Sequence, residues 1–416
     1  MLDARERRAC EQRRLTESFG LPLICFTLNI AGEIKSSPLI ELAFFEGVRL
    51  IREFGFEYVH ESVDLPHTGP TAYFVFRAEA EELKRRAVLA EDSAPEHRLF
   101  DIDVIDAAGN KLSRTAPRAC VVCGGPAKDC ARSRVHGLDA VKAAQNGLLN
   151  TLAARLLAKD AARALTLEVE ATPKPGLVDM NNSGAHTDMD INSFYASIAS
   201  LEPFFREFAL AGLTAPGCGP ELMPRLRSIG IRAEAAMLIA TGGVNTHRGA
   251  IYGMGLLLAS RGLRLSGAEC GLFELAAKIA SQDTAVPASS SHGGAARKIY
   301  GAHGARGEAK SGFPAARCAA ALYTAYLANY DERTAAALTL PHIMAELCDT
   351  NLLHRGGLAG LEFVQSEARR ICCLPESERR FALLDMDAEC VRRNLSPGGS
   401  ADMLGLAVLA ALWREG

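Results

Sequence analysis

The sequence predicts two domains: an N-terminal α+β domain with an antiparallel or mixed sheet, and a C-terminal all-α helical domain. Three observations support this fold class. Apolar β-prone runs alternate with amphipathic segments at first, strand signals fade after about residue 140, and breaks rich in Gly and Pro separate the later Ala- and Leu-rich segments. A chain of 416 residues can form more than one core, so we place the domains at 1–140 and 141–416.

The first domain is predicted to begin with an exposed charged helix over 3–18 and a strand over 21–30, where LPLICFTLNI is compact and apolar. Residues 37–55 have apolar side chains at helical spacing between a Ser-Pro start and a glycine stop, which predicts a helix. The remaining elements are predicted as strands at 56–65 and 71–78, a helix at 78–92, and a strand, a turn and a returning strand over 98–114.

Composition and charge exclude several classes of protein. The net charge of −3 gives no reason to expect a nucleic-acid partner, and the first residues are too charged for a signal peptide. The longest apolar run, MLGLAVLAALW, is too short to cross a bilayer, so no membrane partner is expected. We expect a cytoplasmic protein in which most of the twelve cysteines are buried thiols.

Polar residues of the second domain collect where its predicted helices meet. The stretch 171–190, ATPKPGLVDMNNSGAHTDMD, contains Lys174, His186, Asp188 and Asp190. Mg²⁺ prefers carboxylate and phosphate oxygens, so the two aspartates are candidate ligands or bases and the cations are candidate phosphate ligands. Asp190 is equally well explained as the N-cap of the next helix.

Four later junctions have the same character, with glycines that leave backbone N–H groups open to an anion. Each is individually explained by a plain turn, but five junctions with cations and carboxylates together predict a metal and polyphosphate site. Their candidates are Asn245, His247, Arg248, Arg306, Asn351, Arg355 and Ser400 for nucleotide binding, Glu308 for catalysis, and Asp349 for the metal.

The first domain has an acidic strand, RLFDIDV, in which Asp101 and Asp103 point to the same face. The apolar residues that alternate with them should enter the core. Such a carboxylate pair can hold Mg²⁺ for displacement of pyrophosphate, while a solvent-facing polar edge is the alternative. Arg98 and Lys35 are candidate phosphate ligands.

A cysteine cluster follows in CVVCGGPAKDCARSRVH. Cys120, Cys123, Cys130 and His136 have the spacing C-x₂-C-x₆-C-x₅-H, which could give tetrahedral Zn²⁺. A cluster of packed cysteines without metal is the equal alternative.

The motifs of the second domain resemble those of the triphosphoribosyl-dephospho-CoA synthase family over 150–416: TPKPGLVD, GAHTDMD, GVNTHRGAIY, ARGEAKSGFP, DTN…RGG and SPGGSAD. The resemblance implies that ATP and 3′-dephospho-CoA give the 2′-(5-triphosphoribosyl) conjugate and free adenine. A hydroxyl would displace adenine through an oxocarbenium-like transition state, while Mg²⁺ and cations hold the retained triphosphate.

The motifs of the first domain resemble the phosphoribosyl-dephospho-CoA transferase of citrate lyase, also called holo-acyl-carrier-protein synthase, over 1–140: RERRACEQR, LNIAGEIKSSP, TGP, HRLFDIDV and RACVVCGGPAKDCARSRVH. The resemblance implies that a serine of the acyl carrier (gamma) subunit attacks the conjugate and releases pyrophosphate. The two implied reactions are consecutive, so we expect one fused enzyme that builds and attaches the citrate lyase prosthetic group.

Three other readings stay open. The synthase chemistry could serve malonate decarboxylase, the first domain could be a zinc-stabilised docking module without catalysis, and the helical domain could merely bind CoA-like nucleotides.

Overall fold

The computed structural model describes residues 2–284, 299–300 and 304–415, which divide into two compact units. The first unit comprises the chain to Ala153 together with Leu265–Gly267, and the second comprises Ala154–Arg264 together with the chain from Ala268. The division falls within a long helix, α5, whereas the predicted domain boundary falls near the start of that helix.

A four-stranded antiparallel sheet forms the centre of the first unit. Its strands are β1 (Leu23–Leu28), β2 (Tyr58–Asp64), β3 (Thr71–Phe76) and β4 (Phe100–Ile105), in the order β2-β3-β1-β4. All pairings are antiparallel, which confirms the first of the two predicted sheet types. Burial alternates along β4 as predicted, because its apolar residues enter the core and its aspartates remain partly exposed.

The helices of this unit are α1 (Leu2–Phe19), α2 (Pro38–Arg52), α3 (Ala80–Asp92), a 3₁₀ turn (Pro95–Leu99) and α4 (Ala127–Ser133). The Ser-Pro start of α2 behaves as predicted, since the Ser37 hydroxyl accepts the Ile40 N–H at 3.2 Å. Gly47 allows α2 to lie directly on β1, because a Cβ there would stand 2.1 Å from the Phe26 ring.

The predicted returning strand after β4 is wrong. Only one bridge forms, between Ile105 and Lys111, although the turn itself is closed by the Asp106 side chain, which accepts the Asn110 N–H at 2.7 Å. The chain then leaves the sheet because Arg114 pairs with two acidic residues at the end of α3, Glu91 and Asp92.

The second unit is helical throughout its described part, which confirms the predicted all-α class. Its helices are the later part of α5 (Leu138–Glu170), α6 (Ile191–Leu213), α7 (Leu222–Ala240), α8 (Arg248–Leu265), α9 (Leu272–Ser281), α10 (Gly304–Lys310), α11 (Pro314–Tyr326), α12 (Glu332–Glu346), α13 (Thr350–Cys372), α14 (Glu376–Arg392) and α15 (Gly398–Leu412). Residues 403–410 of α15 are all buried, so this helix is the central one of the unit. Among the described helices, none is long and apolar enough to span a bilayer.

Candidate functional sites

The loop that precedes α6, residues 171–190, is folded around its own carboxylates. Asp179 accepts the backbone N–H groups of Lys174 at 3.0 Å and Asn182 at 3.1 Å. Asp387 of α14 fixes the loop from outside, because it accepts the Gly176 N–H at 2.8 Å and the Asn182 amide at 2.9 Å. These hydrogen bonds fix the backbone of the loop and thereby the positions of its side chains.

Lys174 forms a buried ion pair with Glu168 of α5. The Nζ–Oε1 distance is 2.6 Å, and the two side chains are 1 % and 4 % exposed. Burial raises the pKa of Glu168, and the charge of Lys174 acts against that rise. Sequence reasoning found the lysine but missed the glutamate, which is a lone acidic residue within the apolar helical run LTLEV.

His247 lies close enough to Lys174 for the lysine charge to affect it. Burial, and then that charge, lowers the pKa of His247 to about 3, so the imidazole is neutral. The Thr246 hydroxyl donates to Ser197 Oγ at 2.8 Å, and the same Oγ lies 2.7 Å from His247 Nδ1. His247 Nε2 is buried and has no hydrogen-bond partner among the described residues. A neutral ring nitrogen without a partner, beside a buried lysine, is suited to a polar ligand.

Three helices begin around these residues. Asp402, the fifth residue of α15, accepts a backbone hydrogen bond from Ala250 at the start of α8. Gly249 permits this approach, because a Cβ there would stand 1.9 Å from Asp402 Oδ2. Asp349 caps α13 and also accepts the Ser400 N–H of α15 at 2.8 Å and the Ser400 hydroxyl at 3.1 Å.

The carboxylates of this cluster interact electrostatically. Burial raises the pKa of Asp402 well above its usual range, and the charges of Glu168 and Asp349 raise it further. Helix N-termini carry partial positive charge, so the beginnings of α8, α13 and α15 favour a bound anion. We call Glu168, Lys174, His247, Asp349 and Asp402 the buried cluster.

His186 and Arg355 form a second group at the loop. Arg355 Nη2 lies 3.2 Å from His186 Nδ1 and must be the donor, because a guanidinium has no acceptor atom. The hydrogen of the neutral ring is therefore on Nε2, which donates to Ser396 Oγ at 2.8 Å. Burial, and then the charge of Arg355, lowers the pKa of His186. Asp188 Oδ1 lies 3.7 Å from Nδ1 and its side chain is 62 % exposed, so this carboxylate is open to a ligand.

Asp190 is the N-cap of α6, with a capping box in which Ser193 N donates to its carboxylate at 2.9 Å. The hydrogen bonds from Ser193 lower the pKa of Asp190. This geometry matches the N-cap alternative that the sequence left open. Asn245 has a similar local contact, since its Oδ1 accepts the Arg248 N–H at 3.2 Å, while the Arg248 guanidinium pairs with Glu234.

The other predicted residues make separate contacts. Arg306 Nη2 lies 3.5 Å from Asp283 Oδ2, and its guanidinium stacks over the Tyr252 ring at 5.9 Å. Glu308 accepts the Ala315 N–H at 3.3 Å, and burial raises its pKa. Asn351 belongs to α13, and its side chain lies against the start of α15. A Cβ on Gly398 would stand 2.4 Å from the Asn351 amide nitrogen.

The first unit contains a cleft of about 1170 Å³ beside the ends of β1 and β3. Basic residues of α1 line one wall, and residues of β1, β4 and the β2–β3 loop line the others. Its lining includes Arg5, Arg8, Lys35 and Asp101. The charged helix that the sequence predicts as simply exposed therefore presents several cations to a cavity.

Each aspartate of β4 has a cationic neighbour. Asp101 Oδ1 lies 3.2 Å from Arg118 Nη1, and Asp103 Oδ2 lies 2.5 Å from Lys111 Nζ. Burial, and then the charge of Asp103, raises the pKa of Asp101, while Arg118 acts in the opposite direction. A partly buried carboxylate with a raised pKa and a second carboxylate on the same face is suited to proton transfer or metal binding.

The two basic residues predicted near this strand differ in position. Lys35 lines the cleft, donates to the Ile30 carbonyl, and has a pKa that is lowered by burial. Arg98 donates to the Ala119 carbonyl beside the cysteine cluster, and burial lowers its pKa. Arg98 thus contacts the segment that leads into Cys120.

The four cysteine and histidine candidates lie together, with their ligand atoms all within 4.8 Å of one another. Cys123 Sγ is 3.5 Å from Cys130 Sγ, and the Val122 N–H donates to Cys120 Sγ at 3.4 Å. His136 Nε2 is buried and lacks a hydrogen-bond partner in the described part of the chain. Three sulfurs and one orphaned imidazole nitrogen are a donor set that fits tetrahedral Zn²⁺.

Both halves of the chain match families of transferases. Residues 154–416 match the family described as ATP:dephospho-CoA triphosphoribosyl transferase, and residues 1–151 match the apo-citrate lyase phosphoribosyl-dephospho-CoA transferase family. The chain therefore belongs to the ATP:dephospho-CoA triphosphoribosyl transferase family, with an apo-citrate lyase phosphoribosyl-dephospho-CoA transferase domain fused before it.

Curated relatives agree with this assignment. The chain is 36 % identical to Protein CitXG of Haemophilus influenzae over 453 aligned positions, which cover 100 % of this chain and 96 % of that protein. It is 43 % identical to the 2-(5''-triphosphoribosyl)-3'-dephosphocoenzyme-A synthase of Klebsiella pneumoniae, over 61 % of this chain and 89 % of the relative. The synthase of the same name from Pectobacterium atrosepticum is also 43 % identical, over 60 % and 86 %.

The predicted fusion is thus confirmed. The chain is a bifunctional transferase of citrate lyase prosthetic-group synthesis, with a triphosphoribosyl-dephospho-CoA synthase domain and an apo-citrate lyase transferase domain.

Proposed function

We propose that the helical unit joins ATP to 3′-dephospho-CoA at the buried cluster, and that the α+β unit transfers the product to a carrier serine at the Asp101 cleft. The observation that carries the first assignment is the buried His247 Nε2, which has no partner among the described residues, beside the buried pair of Lys174 and Glu168. A neutral imidazole, a buried cation and three helix N-termini favour a ligand with dense negative charge.

In the synthase step, a ribose hydroxyl of dephospho-CoA forms a bond to the anomeric carbon of ATP, and the bond from that carbon to adenine breaks. We propose that a carboxylate accepts the hydroxyl proton as the oxocarbenium-like charge develops. Asp402 is our candidate, because its side chain lies against the start of α8 and belongs to the buried cluster beside Lys174 and His247. We assign the ring hydrogen of His247 to Nε2, from which it would donate to the triphosphate or to the departing adenine.

The retained triphosphate carries about four negative charges, which calls for Mg²⁺ as a charge-neutralising cofactor. Asp188 is the carboxylate we propose for it, since this side chain is exposed and Arg355 and His186 lie beside it. Asp349 already accepts backbone and hydroxyl donors from two helices, so we assign it to the positioning of those helices rather than to the metal. Asp190 has the same kind of role at α6.

In the transfer step, a serine oxygen forms a bond to phosphorus, and the bond to pyrophosphate breaks. We propose that Asp101 accepts the serine proton. Asp101 and Asp103 are also the residues that would hold Mg²⁺, which would stabilise charge on the pyrophosphate when bound. Arg5, Arg8 and Lys35 supply cations to the lining of the same cleft.

Zn²⁺ is the ion we propose for the Cys120, Cys123, Cys130 and His136 cluster, on the donor set and spacing given above. The acyl carrier (gamma) subunit of citrate lyase is the proposed protein partner. None of the twelve cysteines forms a disulfide, which suits the reducing cytoplasm that we propose as the location. The expectation that most of them are buried is wrong, because only Cys25 and Cys390 are buried.

The test uses the full chain with ATP, Mg²⁺ and dephospho-CoA, with adenine measured by chromatography. Apo acyl carrier of citrate lyase is then added and its mass is measured, with the malonate decarboxylase carrier as the competing acceptor. We expect adenine release that depends on dephospho-CoA and a mass increase on the citrate lyase carrier alone. Absence of adenine release would refute the synthase assignment, and preference for the other carrier would refute the proposed partner.

A further inference from the structure

We infer that the zinc loop, residues 119–136, is a positioning device for the transfer site: a zinc ion in it holds Arg118 against Asp101. This inference rests on the proposed transfer function of the first unit. Four protein ligands leave no open coordination position, so the metal would be structural rather than catalytic.

Arg118 links the zinc loop to β4. It lies two residues before the first cysteine ligand, Cys120, and its Nη1 is 3.2 Å from Asp101 Oδ1. The same guanidinium also donates to the carbonyls of Phe100 and Arg98, which flank that aspartate and its strand. One side chain therefore fixes both the carboxylate and the backbone on which it stands.

A second arginine makes the reverse connection. Arg98, at the entry to β4, donates to the carbonyl of Ala119, which forms a bridge with Pro126 across the neck of the zinc loop. The Ala127 N–H donates to the Arg118 carbonyl at 2.8 Å and closes the same neck. The loop and the acidic strand are thus joined in both directions by hydrogen bonds.

The zinc loop has little else to keep it folded. Its helix α4 spans seven residues and has none that are buried, so no apolar core supports it. Free energy for its fold must come from the neck hydrogen bonds and from metal binding, because the metal bonds of a small closed site are themselves folding free energy.

Loss of the metal should therefore release Arg118. Asp101 Oδ1 would then lose the guanidinium that lies 3.2 Å from it, and the Phe100 and Arg98 carbonyls would lose the same donor. The kcat of transfer should fall because the carboxylate and its strand are no longer held in place, while the synthase reaction of the other unit would be unaffected.

The experiment uses the full chain and readouts other than activity. Metal analysis should give one zinc per chain, and Co²⁺ exchange should give the absorption of a tetrahedral thiolate site. Cys130→Ser should lose the metal and lower carrier modification by about tenfold, which is the usual scale for lost support of a site. Adenine release should not change. Cys318→Ser, an exposed thiol outside the cluster, is the matched control.

Arg118→Gln separates positioning from mere stability. It should keep one metal per chain, yet lower the kcat of transfer as Cys130→Ser does while the KM for the carrier stays unchanged, and Arg118→Lys should restore part of the rate. The inference is overturned if the chain binds no zinc, if metal-free Cys130→Ser transfers like wild type, or if Arg118→Gln transfers with the wild-type kcat. Failure of the proposed function is a different result, because the zinc-loaded wild-type chain would then modify no carrier at all.

Discussion

The buried ion pair between Lys174 and Glu168 is where a single substitution should destabilise the helical unit most. The two side chains are 1 % and 4 % exposed at an Nζ–Oε1 distance of 2.6 Å, so water screens their attraction little. Lys174→Met leaves Glu168 without its cation, and the loss of one partner from such a pair costs about 3–5 kcal/mol of unfolding free energy. Because burial raises the pKa of Glu168, the loss should shrink as the pH falls and the carboxyl becomes protonated.

Tryptophan fluorescence during denaturant unfolding measures the unfolding free energy of the helical unit. Trp413 is the only tryptophan in the chain, and its Nε1 donates to Asp160 at 2.8 Å within the helical unit. The matched control is Lys278→Met, because Lys278 and Glu274 are paired at 2.7 Å but are 49 % and 58 % exposed. An exposed pair of this kind contributes about 0–1 kcal/mol.

A double variant distinguishes stability from function. Lys174→Met with Glu168→Gln removes the unpaired buried charge and should recover much of the lost stability. Adenine release should remain low, because the proposed phosphate ligand is still missing. The reasoning is refuted if Lys174→Met destabilises no more than Lys278→Met, or if the double variant releases adenine at the wild-type rate.

Three further predictions follow from the two sites. The pKa of His247 falls from 6.5 in the unfolded chain to about 3 in the folded one, so its stabilising contribution is present above pH 6.5 and is lost as the pH falls toward 3. Trp413 fluorescence should show that His247→Asn flattens this acid dependence. Gly249→Ala should lower adenine release and destabilise the fold by about 1–3 kcal/mol, since the new Cβ would stand 1.9 Å from Asp402 Oδ2. Gly230→Ala is the control, because a Cβ at Gly230 would meet nothing closer than 4.0 Å. Asp101→Asn with Asp103→Asn should abolish carrier modification and leave adenine release intact, whereas a merely polar strand edge would keep both activities.

The fold was largely predictable because local patterns decide it. Period-two burial in β4 and the Ser-Pro start of α2 are consequences of side-chain geometry that a sequence displays directly. The returning strand could not be predicted in the same way, since ion pairs of Arg114 with the distant helix α3 draw the chain away from the sheet.

The candidate sites were less predictable, because a capping carboxylate and a ligand carboxylate have the same sequence signature. Asp190 and Asp349 both precede helices, and only the structure shows how many backbone groups each accepts. Glu168 could not be predicted, since it stands within an apolar helical run. Asp402 belongs to the SPGGSAD motif, but only neighbours remote in sequence distinguish it from Ser400 of the same motif.

The central claim is that two separate sites perform consecutive reactions, and complementation between two inactive variants tests it most directly. The variant with Asp101→Asn and Asp103→Asn keeps the synthase site and would supply the conjugate. The variant with Lys174→Met and Glu168→Gln keeps the transfer site and would attach that conjugate to the carrier. From ATP, Mg²⁺ and dephospho-CoA, we expect each variant alone to leave the apo carrier at its original mass and the mixture to raise that mass. A mixture that releases adenine but leaves the carrier unmodified, or a β4 variant that modifies the carrier alone, would contradict the account.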